Sequence, residues 1–188
     1  MKVVIQIPCY NEAQTLPLVL QNMPRRIQGV DVIEFQVIDD GSTDNTAVIA
    51  KKLGVHHIVR VPGRNRRWLG RAFKLGIDHA LASGADIVVN TDGDNQYPSS
   101  SIPDLVKPLL QGKAQIAIGD RNPGAIPEYS ILKRSLQRFG SATIQAITGH
   151  EVRDAVSGFR AYTREALLSI QVLTDYTYTV DTLIQAHK

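Results

Sequence analysis

Cysteine, tryptophan, long apolar runs and a dominant charge are all scarce in this chain. Cys9 is the one cysteine. An intrachain disulfide is therefore excluded, a reducing compartment fits, and Cys9, inside the first apolar segment, reads as a small buried residue. No stretch approaches the roughly 18 apolar residues of a membrane span. The opening Met1 to Pro8 is too short in apolar residues for a signal peptide and reads as a first strand. The chain is thus expected to be neither secreted nor membrane-spanning. Lys and Arg number 21 against 18 Asp and Glu, for a net charge of +3 and a pI near 9.1. That balance permits an anionic ligand without requiring nucleic acid. Trp68 is the one tryptophan, and Arg64, Arg66, Arg67 and Arg71 surround it. One such cluster in a nearly neutral chain is too little for an RNA-binding surface. Internal repeats, linkers and low-complexity segments are also absent.

What is present is the composition of one globular domain: 188 residues, 43% apolar and 21% charged. Short β-branched runs at Val3 to Ile7, Val32 to Ile38, His57 to Val61, Ile87 to Val89 and Ile116 to Ile118 read as strands. Their nearly continuous apolar character predicts strands covered on both faces. Helix patterns lie between them at Leu16 to Met23, Asp44 to Leu53, Leu69 to Ala82 and Ser101 to Leu110, the last three closed by Gly54, Gly84 and Gly112. The alternation predicts an α/β fold: a single Rossmann-like open, mostly parallel sheet with helices on both faces. Ligands of such sheets bind beyond the carboxyl ends of the strands, and there the polar clusters fall. Pro8 to Glu12 follows strand one, Asp39 to Asp44 strand two, Asp92 to Asp94 strand four and Gly119 to Arg121 strand five.

Beyond residue 120 the alternation weakens. Leu132, Leu136, Phe139, Thr143 and Ile147 follow a 4-3-4-4 spacing, which predicts an amphipathic helix over Ser130 to Thr148 with Lys133, Arg134 and Arg138 off the apolar stripe. A short helix is predicted over Arg164 to Ile170. The chain stops at Lys188 without an obvious cap and is expected to be a C-terminally trimmed piece.

The chemistry centres on Asp92-Gly93-Asp94-Asn95-Gln96 at the end of the run Ile87-Val88-Val89. Carboxylates at i and i+2 can point the same way where a strand runs out. One or two carboxylates, waters and substrate phosphates form a natural Mg²⁺ or Mn²⁺ site; a polar Asp-Gly turn is the alternative. Taken with Ile7-Pro8-Cys9-Tyr10-Asn11-Glu12, Asp39-Asp40-Gly41-Ser42-Thr43-Asp44-Asn45-Thr46 and Asp154-Ala155-Val156-Ser157-Gly158-Phe159-Arg160, this Asp-x-Asp motif resembles family 2 glycosyltransferases. It is most similar to the dolichyl-phosphate mannose synthase and polyprenyl-phosphate glycosyltransferase branch, over nearly the whole chain.

The resemblance implies a GT-A fold, one catalytic domain over residues 1–188, with a nucleotide-sugar half to about 120 and an acceptor half beyond. It implies metal-dependent, inverting transfer from a UDP- or GDP-sugar to a polyprenyl phosphate. Asp94 would hold the Mg²⁺ or Mn²⁺, with Asp92 and Gln96 as partners. Pro8, Tyr10 and Glu12 would line the nucleoside pocket, joined by Asp39 and Asp40, one of which suffices for the nucleotide while the other braces the loop. Gly70 and Arg71, with Arg66 and Arg67, would lie near the diphosphate, and Arg121 and Arg134 would meet the acceptor phosphate. Asp154 is catalytic in this scheme: a general base for a hydroxyl acceptor, a positioning group for a lipid phosphate, or, alternatively, a carboxylate buried beside Arg153 or Arg160. Ser157 to Arg160 would shape the acceptor loop, with Phe159 equally suited to the core, and Asp44 reads as a helix N-cap. Near the C-terminus, where relatives commonly have a glutamate, stands Asp181. The expected location is cytoplasmic, at the inner membrane face, where Lys133, Arg134 and Arg138 would favour an anionic surface. Rival readings are transfer to a saccharide or small-molecule hydroxyl, and a non-catalytic nucleotide-sugar or RNA-binding module. A nucleotidyltransferase would open with a glycine-rich phosphate loop where Pro8 to Glu12 stands.

Overall fold

The computed structural model describes residues 1–62, 69–120, 140, 142–146, 149 and 154–186. Within them a six-stranded sheet runs in the order β3-β2-β1-β4-β6-β5. Its strands are β1 (Lys2–Cys9), β2 (Val32–Asp39), β3 (His57–Arg60), β4 (Ile87–Asn90), β5 (Ile116–Ile118) and β6 (Arg160–Thr163). The first four are parallel, with β1 between β2 and β4. Val3, Val4, Ile5 and Ile7 are fully buried, as a central strand covered on both faces requires.

Helices cover both faces. Val3, Ile5 and Ile7 pack with Leu16, Val19 and Leu20 of α1 (Leu16–Asn22) and with Ile102, Leu105, Val106 and Leu109 of α4 (Ile102–Leu110). Val4 and Val88 meet Phe73, Ile77 and Ala80 of α3 (Leu69–Ala82) on the other side. Helix α2 (Thr46–Lys52) buries Ala50 against the first of these cores. Just past α3, Gly84 takes φ +82°, the left-handed stop that glycine adopts without penalty.

The predicted strands and the helices before residue 120 form, within a residue or two of their expected ends. The acceptor half departs from expectation. Arg160, read as the end of the acceptor loop, instead opens strand β6 (Arg160–Thr163), which runs antiparallel between β4 and β5. Phe159 beside it is a core residue. Four residues without an apolar run carry no strand signal of their own; pairing with β4 and β5 makes them one. Most of the predicted helix over 130–148 lies outside the described residues, but 142–146 are helical. There Ile144 is buried against Ala155 and Leu183, whereas Thr143, which the 4-3-4-4 stripe put on the apolar face, is exposed. Two short helices follow, α5 (Arg164–Ser169) and α6 (Thr179–Gln185). No helix of the described residues is long and apolar enough to cross a membrane.

One row of residues crosses five of the six strands in register. His57 on β3 pairs with Gln36 on β2, Gln36 with Gln6 on β1, Gln6 with Asn90 on β4, and Asn90 with Arg160 on β6. Gln6, Gln36, Asn90 and Arg160 are fully buried. Gln6 Nε2 donates to Asn90 Oδ1 at 2.9 Å, and Gln36 Nε2 to the Gly76 carbonyl of α3 at 2.8 Å. A Cβ on Gly76 would lie 2.3 Å from Gln6 Oε1, so the glycine lets α3 settle onto this polar row. At the start of α3 the approach is closer: a Cβ on Gly70 would lie 2.2 Å from the Thr174 carbonyl oxygen, and Arg71 N donates to Asp175 O at 3.2 Å.

Because that clash is with backbone, Gly70→Ala is expected to lower stability by about 1–3 kcal/mol, the usual cost of overpacking. The shift should appear as a lower midpoint of urea unfolding with little change in slope.

Candidate active site

The parallel strands end together, and their carboxyl ends bring the first two motifs into contact. Asp40 N donates to Cys9 O at 2.9 Å, continuing the β1–β2 pairing past Asp39. Asn11, in the left-handed region at φ 56°, aims its side-chain oxygen at Thr43 N, 2.8 Å away, while its own N–H donates to Ser42 Oγ at 3.0 Å. Glu12 N donates to Thr46 Oγ1 at 2.9 Å. The two loops are thereby tied by hydrogen bonds that each supplies to the other's backbone.

Asp39 is buried: Oδ1 accepts from Ser42 N at 2.8 Å and Oδ2 lies 3.6 Å from Arg60 Nε. Of the pair after β2, Asp39 is thus the one that braces the loop, and Asp40 is the half-exposed one. Pro8 and Glu12 are half-buried and Tyr10 is exposed beside them; the Glu12 carboxylate accepts from the Thr15 hydroxyl. The N-cap of α2 is Asn45, not Asp44; Asp44 stands one residue earlier and ties the turn that leads into the helix. Its carboxylate accepts from Thr46 N at 2.9 Å, from Ala13 N at 3.1 Å and from the Thr46 hydroxyl.

The Asp92–Gln96 loop leaves β4 and turns back under the end of β1. Gly93 is buried where a Cβ would lie 2.9 Å from Cys9 Sγ and 3.3 Å from Glu12 Cγ, so only glycine lets the two loops approach this closely. Asn95 completes the turn at φ 62°, a conformation asparagine tolerates. Asp94 Oδ1 accepts from Gln96 N at 3.0 Å. On the far side a Cβ placed on Gly158 would lie 3.4 Å from both carboxylate oxygens of Asp92. The segment that carries Asp154 therefore runs directly against the Asp92–Asp94 loop.

The electrostatics of this edge are acidic. Burial pushes the Cys9 thiol well above its ordinary pKa, and Glu12, Asp39, Asp92 and Asp44 push it further. Cys9 is thus held as an unreactive thiol. Among the described residues no three His, Cys, Asp or Glu side chains form a closed metal cage. Two carboxylates and an amide on one loop suit a hard cation that keeps waters and takes further oxygens from a phosphate. The residues present fit Mg²⁺ or Mn²⁺.

The remaining expected site residues are distributed unevenly. Gly70 and Arg71 are packed against the backbone of residues 174–175. Asp154 is buried; Arg160 donates to the carbonyls of Ala155 and Ser157 next to it in the chain, and Arg153 lies outside the described residues. So do Arg66, Arg67, Arg121 and Arg134. Asp181 accepts from Thr174 N at 3.2 Å and so fastens α6 to the preceding loop. Sequence reasoning passed over Asn90, Tyr97 and Tyr178, which surround Gly158. A polar residue closing the apolar run at Asn90 was the one available signal.

This edge, with its acidic loops at the carboxyl ends of parallel strands and an antiparallel strand beyond, defines an open-sheet α/β domain with its candidate site at the strand ends. The chain belongs to glycosyl transferase family 2, whose family model matches residues 4–170, and its fold is GT-A. It is 33% identical over 177 residues to the glycosyltransferase AglJ of Haloferax volcanii, covering 92% of this chain and 54% of that protein. It is 28% identical over 176 residues to the polyprenol monophosphomannose synthase of Mycolicibacterium smegmatis, covering 91% and 65%. The crystal structure of glucosyl-3-phosphoglycerate synthase from Mycobacterium tuberculosis with Mn²⁺, UDP and glucosyl-3-phosphoglycerate superposes with a TM-score of 0.65 at 28% identity, covering 93% of this chain and 62% of that one. The chain thus spans between about half and two thirds of the length of these relatives.

Asp44 supplies a test of the loop geometry. Desolvation raises its pKa, but the hydrogen bonds from Thr46 and Ala13 outweigh this and hold it below the ordinary carboxylate value. A depressed folded pKa contributes stability above the unfolded value, about 3.9, that is lost as pH falls through the folded one. Asp44→Asn is expected to be less stable than the native chain near neutral pH, and the difference should shrink as the pH falls below about 4. Thermal unfolding of both across that range checks it.

Proposed function

We propose that this chain is the catalytic domain of an inverting, metal-dependent glycosyltransferase that moves a sugar from a UDP- or GDP-sugar to a polyprenyl phosphate. The observation that carries the reading is the contact of three motif loops at one sheet edge: Gly93 against Cys9 and Glu12, and Asp92 against Gly158. That contact puts residues suited to a nucleotide-sugar beside the segment that bears Asp154. The likeness to a polyprenol monophosphomannose synthase supports the lipid acceptor, and the likeness to a synthase crystallised with Mn²⁺ and UDP supports the donor and the cation.

In this reading Tyr10 lies along the base and Glu12 and Asp40 accept from nucleoside groups, with Pro8 shaping the wall and Asp39 bracing the loop beneath. Asp92, Asp94 and Gln96 hold Mg²⁺ or Mn²⁺, which when bound supplies Lewis-acid neutralisation of the departing diphosphate. Gly70 and Arg71 lie toward the diphosphate. Arg121 and Arg134 orient the acceptor phosphate, for which the arginine fork is well shaped. An acceptor oxygen attacks the anomeric carbon in line as the sugar–phosphate bond breaks, the bonding pair leaving with the nucleoside diphosphate. One displacement inverts the centre. A phosphate acceptor is already ionised, so Asp154 positions groups and removes no proton. Action on a lipid phosphate would bring the domain to the cytoplasmic membrane face.

A second reading, transfer to a hydroxyl with Asp154 as general base, draws on the likeness to an enzyme crystallised with glucosyl-3-phosphoglycerate. There a carboxylate within reach must take the hydroxyl proton.

The test is nucleoside diphosphate release from a panel of UDP- and GDP-sugars, with Mn²⁺ or Mg²⁺, with and without a short polyprenyl phosphate. Release is expected to require the cation, to rise with the lipid, and to fall on the order of 100-fold in Asp94→Ala, as for loss of a group that stabilises developing charge. Turnover on a soluble acceptor without lipid, abolished in Asp154→Asn, would establish the second reading. No release, with nucleotide binding indifferent to metal and to Asp94→Ala, would overturn both.

A further inference from the structure

The segment from Asp154 to Gly158 is held by side chains rather than by secondary structure. Buried backbone groups must find partners; beside one internal bond, Ser157 N to Asp154 O at 3.2 Å, this segment takes partners from side chains outside it. Arg160 Nη2 donates to Ala155 O and Nε to Ser157 O, both at 2.8 Å, while Nη1 reaches Thr179 O and Thr182 Oγ1 on α6, also at 2.8 Å. Asn90 Nδ2 donates to Gly158 O at 2.8 Å and to Tyr178 Oη at 2.8 Å. Gly158 N donates to Tyr97 Oη at 3.0 Å. Tyr97 lies three residues beyond Asp94 in the chain, and its ring stacks on Phe159 with centroids 5.2 Å apart. Asn90 is two residues before Asp92 and is itself gripped by Gln6 on the central strand. Both ends of the Asp92–Gln96 loop therefore hold Gly158, one through its carbonyl and one through its N–H.

We propose that Asn90, Tyr97 and Arg160 are positioning residues for sugar transfer: they lock the Asp154–Gly158 segment, by its backbone, against the Asp92–Asp94 loop and so set the spacing between donor and acceptor groups. The inference rests on the transferase reading above. None of the three needs to touch substrate. Their effect comes through geometry, to which a two-centre displacement is sensitive because its reacting atoms must be aligned and close. The nucleoside side of the site, on the ends of β1 and β2, is built from separate hydrogen bonds. Loosening the lock should slow transfer while sparing donor binding.

The experiment compares the native chain with Tyr97→Phe and Arg160→Lys. The first removes one hydroxyl and keeps the stack on Phe159. The second keeps the charge but loses the planar fork that serves four acceptors. Transfer per folded molecule is expected to fall about 10-fold in Tyr97→Phe, with donor KM within about twofold of native and donor hydrolysis without acceptor largely retained. Amide hydrogen exchange should quicken over 154–158 and stay unchanged across β1 and β2. A residue that merely adds stability would lower the melting temperature and leave the ratio of hydrolysis to transfer where it was; that outcome overturns the proposal. Should Arg160→Lys fail to fold, Tyr97→Phe decides alone. Absence of all turnover in the native chain would defeat the transferase reading instead, and exchange still judges the lock: faster exchange confined to 154–158 upholds it, unchanged exchange overturns it.

Discussion

The buried polar row that crosses the sheet is the constraint on which the rest of the structure depends. Gln36, Gln6 and Asn90 stand side by side on three adjacent strands under α3, where an unpaired amide would cost about 1–3 kcal/mol. Each is paired, to its neighbour or to the Gly76 carbonyl. The pairing holds only in one register, because a slip by one residue would turn each side chain to the opposite face. His79 extends the row at the surface through a 2.7 Å contact with Gln36 Oε1. Beside it His57 stacks edge-on and meets Glu34. At its other end the row becomes part of the candidate site, since Asn90 holds Gly158 and Tyr178.

Tyr178 shows how packing and polarity meet there. Its ring lies flat on Phe73 with centroids 3.8 Å apart, which fastens α6 to α3. Burial holds its phenol well above the ordinary pKa, and Tyr162 and Asp92 add to the shift. The hydroxyl therefore stays protonated and serves as donor and acceptor between Asn90 and Gly158. The guanidinium of Arg160 likewise donates to three carbonyl oxygens and one hydroxyl.

Proximity in this fold is produced largely by small residues. Gly93, Gly158, Gly76 and Gly70 each sit where a Cβ would meet a neighbouring atom at 3.4 Å or less. Two of these contacts join loops at the candidate site and two seat α3. The close approach of three motif loops is thus a consequence of missing side chains as much as of attractive ones. Function and packing share the same positions.

The sequence by itself determined the alternation of β1 to β5 with α1 to α4, because apolar periodicity and helix stops are local properties of the chain. It also determined that acidic clusters would fall at the carboxyl ends of the strands, since strand direction in a parallel sheet follows from chain order. Only the tertiary structure decided that residues 160–163 form a strand, because that strand exists through its partners β4 and β5. It likewise decided that Ile144 rather than Thr143 faces inward, through contact with Leu183 far along the chain. The roles of Asn90 and Tyr97 were illegible for the same reason, and Arg160, expected to shape the acceptor loop, gave no sign of its partners: each acts through hydrogen bonds to backbone, and a backbone carbonyl or N–H leaves no trace in the identity of the residue that carries it.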